Sequence, residues 1–229
     1  MELVVALDRA TLSENLALVR ELKEFNNLWL KVGFRSYIRD GKEILKEIKN
    51  INPTFKIFLD LKLYDIPNTM ADAGDVIADL GVDMFNLHSS SGLEGMRTVM
   101  ERLKNRKNRP IVLAVTALTS FNESGFKSVY GTSIEEKARQ FAIDTHRAGV
   151  DGVVSSLHES KAIKEVTSSE FLTLTPGIRP FGESSDDQKR DGTVEDAHRE
   201  LVDYIVVGRP IYKSDNPVDV VKRILERLR

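Results

Sequence analysis

Cysteine is absent from the 229 residues, which removes disulfides, thiolate catalysis, Cys-ligated zinc and Cys-ligated iron–sulfur clusters and fits an intracellular compartment. Neither sign of charge dominates. Lys plus Arg number 33 against 35 Asp plus Glu, a formal charge of −2, so the bulk balance advertises neither a nucleic-acid partner nor an anionic membrane. Long apolar runs are missing too. The longest, Ile111 to Leu118, is interrupted by Thr116 and is less than half the ~20 residues that a spanning helix needs. Met1-Glu2-Leu3 leads straight into a strand-like segment, without a basic region, an apolar stretch or a small-residue cleavage site. No export signal is expected, and the expected location is the cytoplasm. No Pro/Ser-rich linker divides the chain, so residues 1–229 are expected to form one domain.

What is present is an alternation of short β-rich runs with longer amphipathic ones, in a chain 41% hydrophobic and 30% charged. Eight strands are expected: Leu3–Asp8, Leu28–Gly33, Lys56–Leu63, Met84–His88, Ile111–Thr116, Gly152–Ser155, Phe171–Thr175 and Tyr204–Gly208. Helix signals fall between them. Thr11 with Glu14 and Ser133 with Glu136 read as capping boxes, and Asn216-Pro217 as the N-cap and N1 of the last helix. Gly81 and Gly149 read as helix ends. Leu12, Leu16, Val19 and Leu22 share one helix face, as do Val221, Ile224, Leu225 and Leu228. Eight βα units at this length predict an α/β fold, a single (β/α)8 barrel, with an open doubly wound sheet as the alternative.

A barrel places its reactive groups at the C-terminal ends of its strands, and those ends are polar here. Asp8 closes the first strand, Lys31 lies near the end of the second, and Asp60 and Lys62 end the third. Asn86 and His88 end the fourth. Strand alternation points Phe58, Asp60 and Lys62 inward and Ile57, Leu59, Leu61 and Leu63 toward the helices. With Asp65, they make a D-x-K-x-x-D string at the rim. A structural ion pair is the plain reading of such a string; three charges at a barrel's active end exceed what a core needs.

A lysine between carboxylates stays protonated, because at ~4 Å and an effective dielectric near 20 each gross attraction is about 4 kcal/mol. Lys62 is then a general acid and a poor Schiff-base nucleophile. Anionic side chains where an anionic substrate group must sit suit a group that leaves. If a carboxylate departs as CO2, crowding is relieved and the carbanion left behind meets an ammonium.

Loops after the seventh and eighth strands of such barrels commonly bind phosphate. Here they are Pro176-Gly177-Ile178-Arg179-Pro180-Phe181-Gly182 and Gly208-Arg209-Pro210. Between them, residues 182–193 are polar and aperiodic, which fits a lid over the ligand and equally an ordinary surface loop. His88 points inward and reads as a packed, hydrogen-bonded core residue ahead of a catalytic one. His146, His158 and His198 read as surface residues without metal-ligand spacing.

In this order and at these intervals, Leu7-Asp8, Lys31-Val32-Gly33, Asp60 through Thr69, Val115 through Ser120, Pro176 through Pro180, Asp187-Gln188 and Val207 through Pro210 resemble the orotidine 5′-phosphate decarboxylase family. The resemblance spans almost the whole chain. It implies conversion of orotidine 5′-monophosphate (OMP) to UMP and CO2 in de novo pyrimidine biosynthesis, without metal or organic cofactor. It also implies that Lys62 protonates C6 of the pyrimidine while Asp60 lies beside the leaving carboxylate and orients Lys62. Lys31 would join that network and, with Asp8, contact the ribose. Thr119, with Ser120 adjacent, would touch the pyrimidine; Arg179, Gln188, Gly208 and Arg209 would hold the phosphate and lid. Asp65 and Thr69 would reach into the neighbouring subunit's site of a homodimer.

Two rivals remain. Related barrels with a D-x-K-x-x-D strand act on sugar phosphates through a Mg2+-stabilised enediolate. Those carry an Ala-Gly-like sequence after the second Asp and a metal-binding acid on strand two, where this chain has Ile66-Pro67-Asn68-Thr69 and Lys31. The other rival is a silent barrel that binds nucleotide and regulates a partner; the intact Lys31, Asp60, Lys62 and Asp65 weigh against it.

Overall fold

Eight parallel strands pair in chain order and close on themselves, β8 against β1, in a computed structural model that describes residues 1–182 and 192–228. They are β1 (Glu2–Ala6), β2 (Trp29–Gly33), β3 (Lys56–Leu63), β4 (Met84–His88), β5 (Ile111–Val115), β6 (Gly152–Val154), β7 (Leu172–Pro176) and β8 (Tyr204–Val207). All eight expected strands are found and the barrel closes, so the open-sheet alternative is excluded. The ends shift by one or two residues, and β6 is the shortest. Gly152 is required there because an added Cβ would stand 2.2 Å from the Leu172 carbonyl oxygen of β7.

Helices cover the barrel: α1 (Leu12–Glu21), α2 (Phe34–Asp40), α3 (Lys42–Ile51), α4 (Pro67–Asp79), α5 (Gly92–Leu103), α6 (Glu123–Tyr130), α7 (Ile134–Arg147), α8 (Ser160–Val166), α9 (Val194–Arg199), α10 (Arg209–Tyr212) and α11 (Pro217–Arg227). Thr11 and Glu14 form the expected capping box. Ser133 caps α7 through Glu136 N–H, but the Glu136 carboxylate goes to the Thr132 hydroxyl instead of closing a box. Asn216 caps α11 with Pro217 first in the helix. Gly81 and Gly149 follow α4 and α7 with φ of 71° and 79°, left-handed values that suit a helix stop.

Two apolar layers result from the strand period of two. Val4, Ala6, Trp29, Phe58, Met84, Leu113, Val115, Val154, Leu174 and Val206 fill the barrel. Leu3, Val5, Leu30, Val32, Ile57 and Leu59 face outward onto Leu18, Val19, Leu22, Ile44, Ile48, Val221 and Ile224 of the helices. At the N-terminal end, acids preceding alternate strands cap their neighbours. Asp83 accepts from Ile57 N–H, Asp151 from Val112 N–H and Asp203 from Thr173 N–H. Each is neutralised by a cation, Lys56, Arg109 and Lys164 respectively. That end is thus closed by structural ion pairs, and the opposite rim is left for a site. Among the described residues no helix is long and apolar enough to cross a membrane.

Candidate active site

At the C-terminal mouth, the strand ends surround a cavity of about 400 Å3. Its charged wall comes from the first three strands. Asp8 is held from both sides: the Ser36 hydroxyl donates to the Leu7 carbonyl at 2.8 Å, and Arg9 N–H donates to the Asn15 side chain at 3.1 Å. Asn15 and Ser36 are buried and joined to each other. Lys31 of β2 reaches inward, its Nζ 3.3 Å from each Asp8 carboxylate oxygen and 3.6 Å from Asp60 Oδ2. Lys62 Nζ donates to Asp60 Oδ1 at 2.6 Å. Charges therefore alternate along one line, Asp8, Lys31, Asp60, Lys62.

Burial disfavours the Lys31 ammonium, but Asp60 and Asp8 outweigh it and hold its pKa above the ordinary lysine value. Burial also disfavours the Asp60 carboxylate. There Lys31 and Lys62 prevail, holding its pKa below the ordinary range. The buried pair at the centre of the line is thus built to stay charged. It is Lys31, not Lys62, that sits between two carboxylates of its own chain.

The reason is a break in β3. Alternation does point Phe58, Asp60 and Lys62 into the barrel, but the ladder to β4 runs from Leu59↔Phe85 to Leu63↔Leu87. Four steps on β3 thus match two on β4. Within this irregularity Lys62 takes φ of 51°, a left-handed conformation that costs a non-glycine residue roughly 1–2 kcal/mol. The chain then turns outward. Asp65, the last acid of the D-x-K-x-x-D string, is exposed and accepts a hydrogen bond from Ile66 N–H at 2.7 Å. Thr69 on α4 is exposed as well. Neither lines the cavity of its own chain.

The opposite wall is built from the later strands. Thr119 lines the cavity and the neighbouring Ser120 does not. Gly177, with φ of 87°, turns the chain after β7 so that Arg179 becomes part of the wall. The Arg179 side chain is almost completely buried, and its Nη2 has no acceptor among the described residues. Leaving a buried cationic nitrogen unpaired is costly, which marks this corner as a seat for a ligand anion. Gly208 and Arg209 stand beside it. Arg227 donates to the Pro180 carbonyl at 2.9 Å, and with Arg223 it packs on the Phe181 ring. Arg179 N–H donates to the Gly192 carbonyl at 2.9 Å, tying together the two chain segments that flank residues 183–191. Gln188 and most of the expected lid lie outside the described residues.

Three further lining residues, Asn86, Ser155 and Tyr212, received no role from the sequence. Asn86 was visible as a polar end of an inward-facing strand. His88 is half-buried; its Nδ1 accepts from Ser90 N–H and its ring stacks on Tyr64 at 5.9 Å. Burial and Lys62 push its pKa down, which favours the neutral ring. His146, His158 and His198 are exposed, as expected.

Residues 1–224 match the family model described as orotidine 5′-phosphate decarboxylase / HUMPS family. The chain belongs to the orotidine 5′-phosphate decarboxylase / HUMPS family. The orotidine 5′-phosphate decarboxylase of a Nitratiruptor species is 61% identical over 228 residues, covering 100% of each chain. That of Sulfurimonas denitrificans is also 61% identical over 228 residues, with the same coverage. Among solved structures, orotidine 5′-phosphate decarboxylase from Lactobacillus acidophilus superposes with a TM-score of 0.84 at 28% identity, over 99% of this chain and 98% of that one. The Methanocaldococcus jannaschii orotidine 5′-monophosphate decarboxylase complexed with the inhibitor BMP gives 0.78 at 26% identity, with the same coverage. The segments that resemble this family in the sequence, apart from Asp187-Gln188, lie at one rim of the barrel. Asp8, Lys31, Asp60, Lys62, Thr119, Arg179, Gly208 and Arg209 line one cavity.

Proposed function

We propose that this chain converts OMP to UMP and CO2 in the cytoplasm, as a step of pyrimidine biosynthesis, through one domain spanning residues 1–229 and without metal or organic cofactor. The observation that carries this reading is the ordered Asp8–Lys31–Asp60–Lys62 line on one wall of a cavity whose far wall holds a buried Arg179 nitrogen without an acceptor among the described residues. A phosphate anchored by Arg179, Gly208, Arg209 and Gln188 sets the pyrimidine, contacted by Thr119, against the charged wall, with the ribose between Asp8 and Lys31.

In the reaction, the bond from C6 to the carboxylate breaks and its electron pair stays on C6. CO2 departs. A proton of the Lys62 ammonium passes to C6, leaving a neutral amine that solvent reprotonates. Asp60 stands beside the carboxylate in the ground state, and its charge is less opposed once CO2 has gone, so the transition state gains more than the substrate does. Lys31 keeps Asp60 ionised. Fixed charges in a shielded cavity do not have to reorganise as the carbanion forms.

Asp65 and Thr69 belong, in this reading, to the site of a second copy in a homodimer. Support comes from exposed large apolar side chains nearby: Tyr64 and Ile66 flank Asp65 in the chain, and the Phe34 ring centre lies 5.8 Å from Lys62 Nζ, which is unusual beside a charged site unless another surface covers them. Following OMP absorbance with purified protein and excess EDTA tests the proposal. Steady conversion to UMP is expected; no conversion, or conversion only after Mg2+ is restored, would reject it.

A further inference from the structure

Asn86 does two things at once in the irregular stretch between β3 and β4. Its side-chain carbonyl Oδ1 accepts from the backbone N–H of Lys62 at 2.7 Å, and its Nδ2 donates to Asp60 Oδ1 at 2.8 Å. The orientation of the amide is not arbitrary. A backbone N–H can only donate and an ionised carboxylate can only accept, so oxygen must face the first and nitrogen the second. The side chain is almost wholly buried, which leaves water little chance to substitute. It also fills a gap: with the ladder broken between Leu59 and Leu63, Lys62 N–H takes a side chain as its acceptor.

We infer that Asn86 is a positioning residue that fixes the reacting pair, clamping Lys62 in its left-handed backbone conformation while holding the same carboxylate oxygen that receives the Lys62 ammonium. This rests on the decarboxylase reading. One amide thereby sets both the aim of the proton donor and the place of the acid beside the leaving group. Neither hydrogen bond involves substrate, so Asn86 acts through kcat and hardly through KM. Leucine matches the shape and loses both bonds. Aspartate matches the shape, keeps the acceptor for Lys62 N–H, and sets a second carboxylate against Asp60. It would face Asp60 and Lys62 of β3, Lys31 of β2 beyond them and His88 on its own strand, and uncharged Leu113 of β5 on the other side. Two carboxylates at that distance share one proton, and the protonated form restores an O–H donor where the amide N–H had been.

The test measures kcat and KM from pH 5 to 9 for wild type, Asn86→Leu and Asn86→Asp, with thermal unfolding of each and hydrogen exchange at the Lys62 amide. Asn86→Leu is expected to lose about 10- to 100-fold in kcat, the scale of a hydrogen bond to a charged group, with KM within about twofold, and to lose protection of the Lys62 amide. Asn86→Asp is expected to keep that protection. Its kcat relative to wild type should fall about tenfold per pH unit on the alkaline side of the shared titration and recover toward low pH. A packing role alone gives no such slope. Wild-type kcat in both variants, or a folded Asn86→Asp whose ratio to wild type is flat with pH, would overturn the inference. If Asn86→Leu fails to fold, the near-isosteric Asn86→Asp decides the matter. If wild type itself does not turn over OMP, the functional reading fails, and amide exchange still tests the clamp.

Discussion

Lys62 donates to Asp60 across 2.6 Å although Leu61 alone separates them in sequence, and the backbone adopts φ of 51° at the lysine. In a regular strand, residues two apart share a face but run parallel. The turn at Lys62 brings the ammonium back onto the carboxylate. A strained conformation at one residue is sustained because its neighbours fix it, and here it sets the geometry of the Lys62–Asp60 pair.

Replacing Lys62 by alanine should lower kcat by at least about 10^2- to 10^4-fold, the range of general acid catalysis, while UMP binding persists through the phosphate corner. Steady-state kinetics and calorimetric titration with UMP measure the two effects. Near-normal turnover would remove Lys62 from the mechanism.

Lys31 and Asp60 make a prediction about pH. Asp60 is held below the ordinary carboxylate range by Lys31 and Lys62 against burial, so its ionisation favours the folded state above the unfolded pKa of about 3.9, a contribution lost as pH falls through the lower folded value. Lys31 is held above its ordinary value, so its contribution is complete below the unfolded lysine pKa and is lost as pH rises through the higher folded one. In Lys31→Met, burial of Asp60 is opposed by one cation fewer. The acid limb of kcat/KM should therefore move to higher pH, and the pH of acid unfolding should rise. An unmoved acid limb would mean that Lys31 does not hold Asp60 ionised.

Arg179→Ala should raise KM for OMP about 10- to 100-fold, since it removes a charged donor whose buried nitrogen faces no acceptor among the described residues. Orotidine, which lacks the phosphate, should be turned over equally by wild type and variant. Equal losses on both substrates would place Arg179 outside phosphate recognition.

Asp65 supplies a test of the dimer. A hybrid of Lys62→Ala and Asp65→Ala subunits holds one site with Lys62 from one chain and Asp65 from the other, so random exchange of a 1:1 mixture should regain about a quarter of wild-type activity. No regain after subunit exchange is verified by mass spectrometry would confine Asp65 to its own subunit.

Period-two apolar runs and caps at Thr11, Ser133 and Asn216 made most of the barrel legible in the sequence, because strands and helices bury their faces at fixed spacings. The short rim helices were not legible. α2 follows Gly33 with no side-chain cap and α10 is four residues long, so neither carries a periodic signal. The charged residues at strand ends were legible for the same reason as the strands. The pairing inside the cluster was not. Alternation is blind to the β3/β4 irregularity that turns Asp65 out to the surface and recruits Asn86, and to the lateral placing of Asp8 and Asp60 on either side of β2 that makes Lys31 the doubly paired amine.

Exchange of the UMP C6 hydrogen with D2O, followed by proton NMR, tests the role of Lys62 most directly, because the amine that delivers a proton to C6 must also be the one that removes it. Wild type at saturating UMP should wash deuterium into C6, and Lys62→Ala, with UMP still bound, should not. Exchange at the wild-type rate in Lys62→Ala would contradict the account.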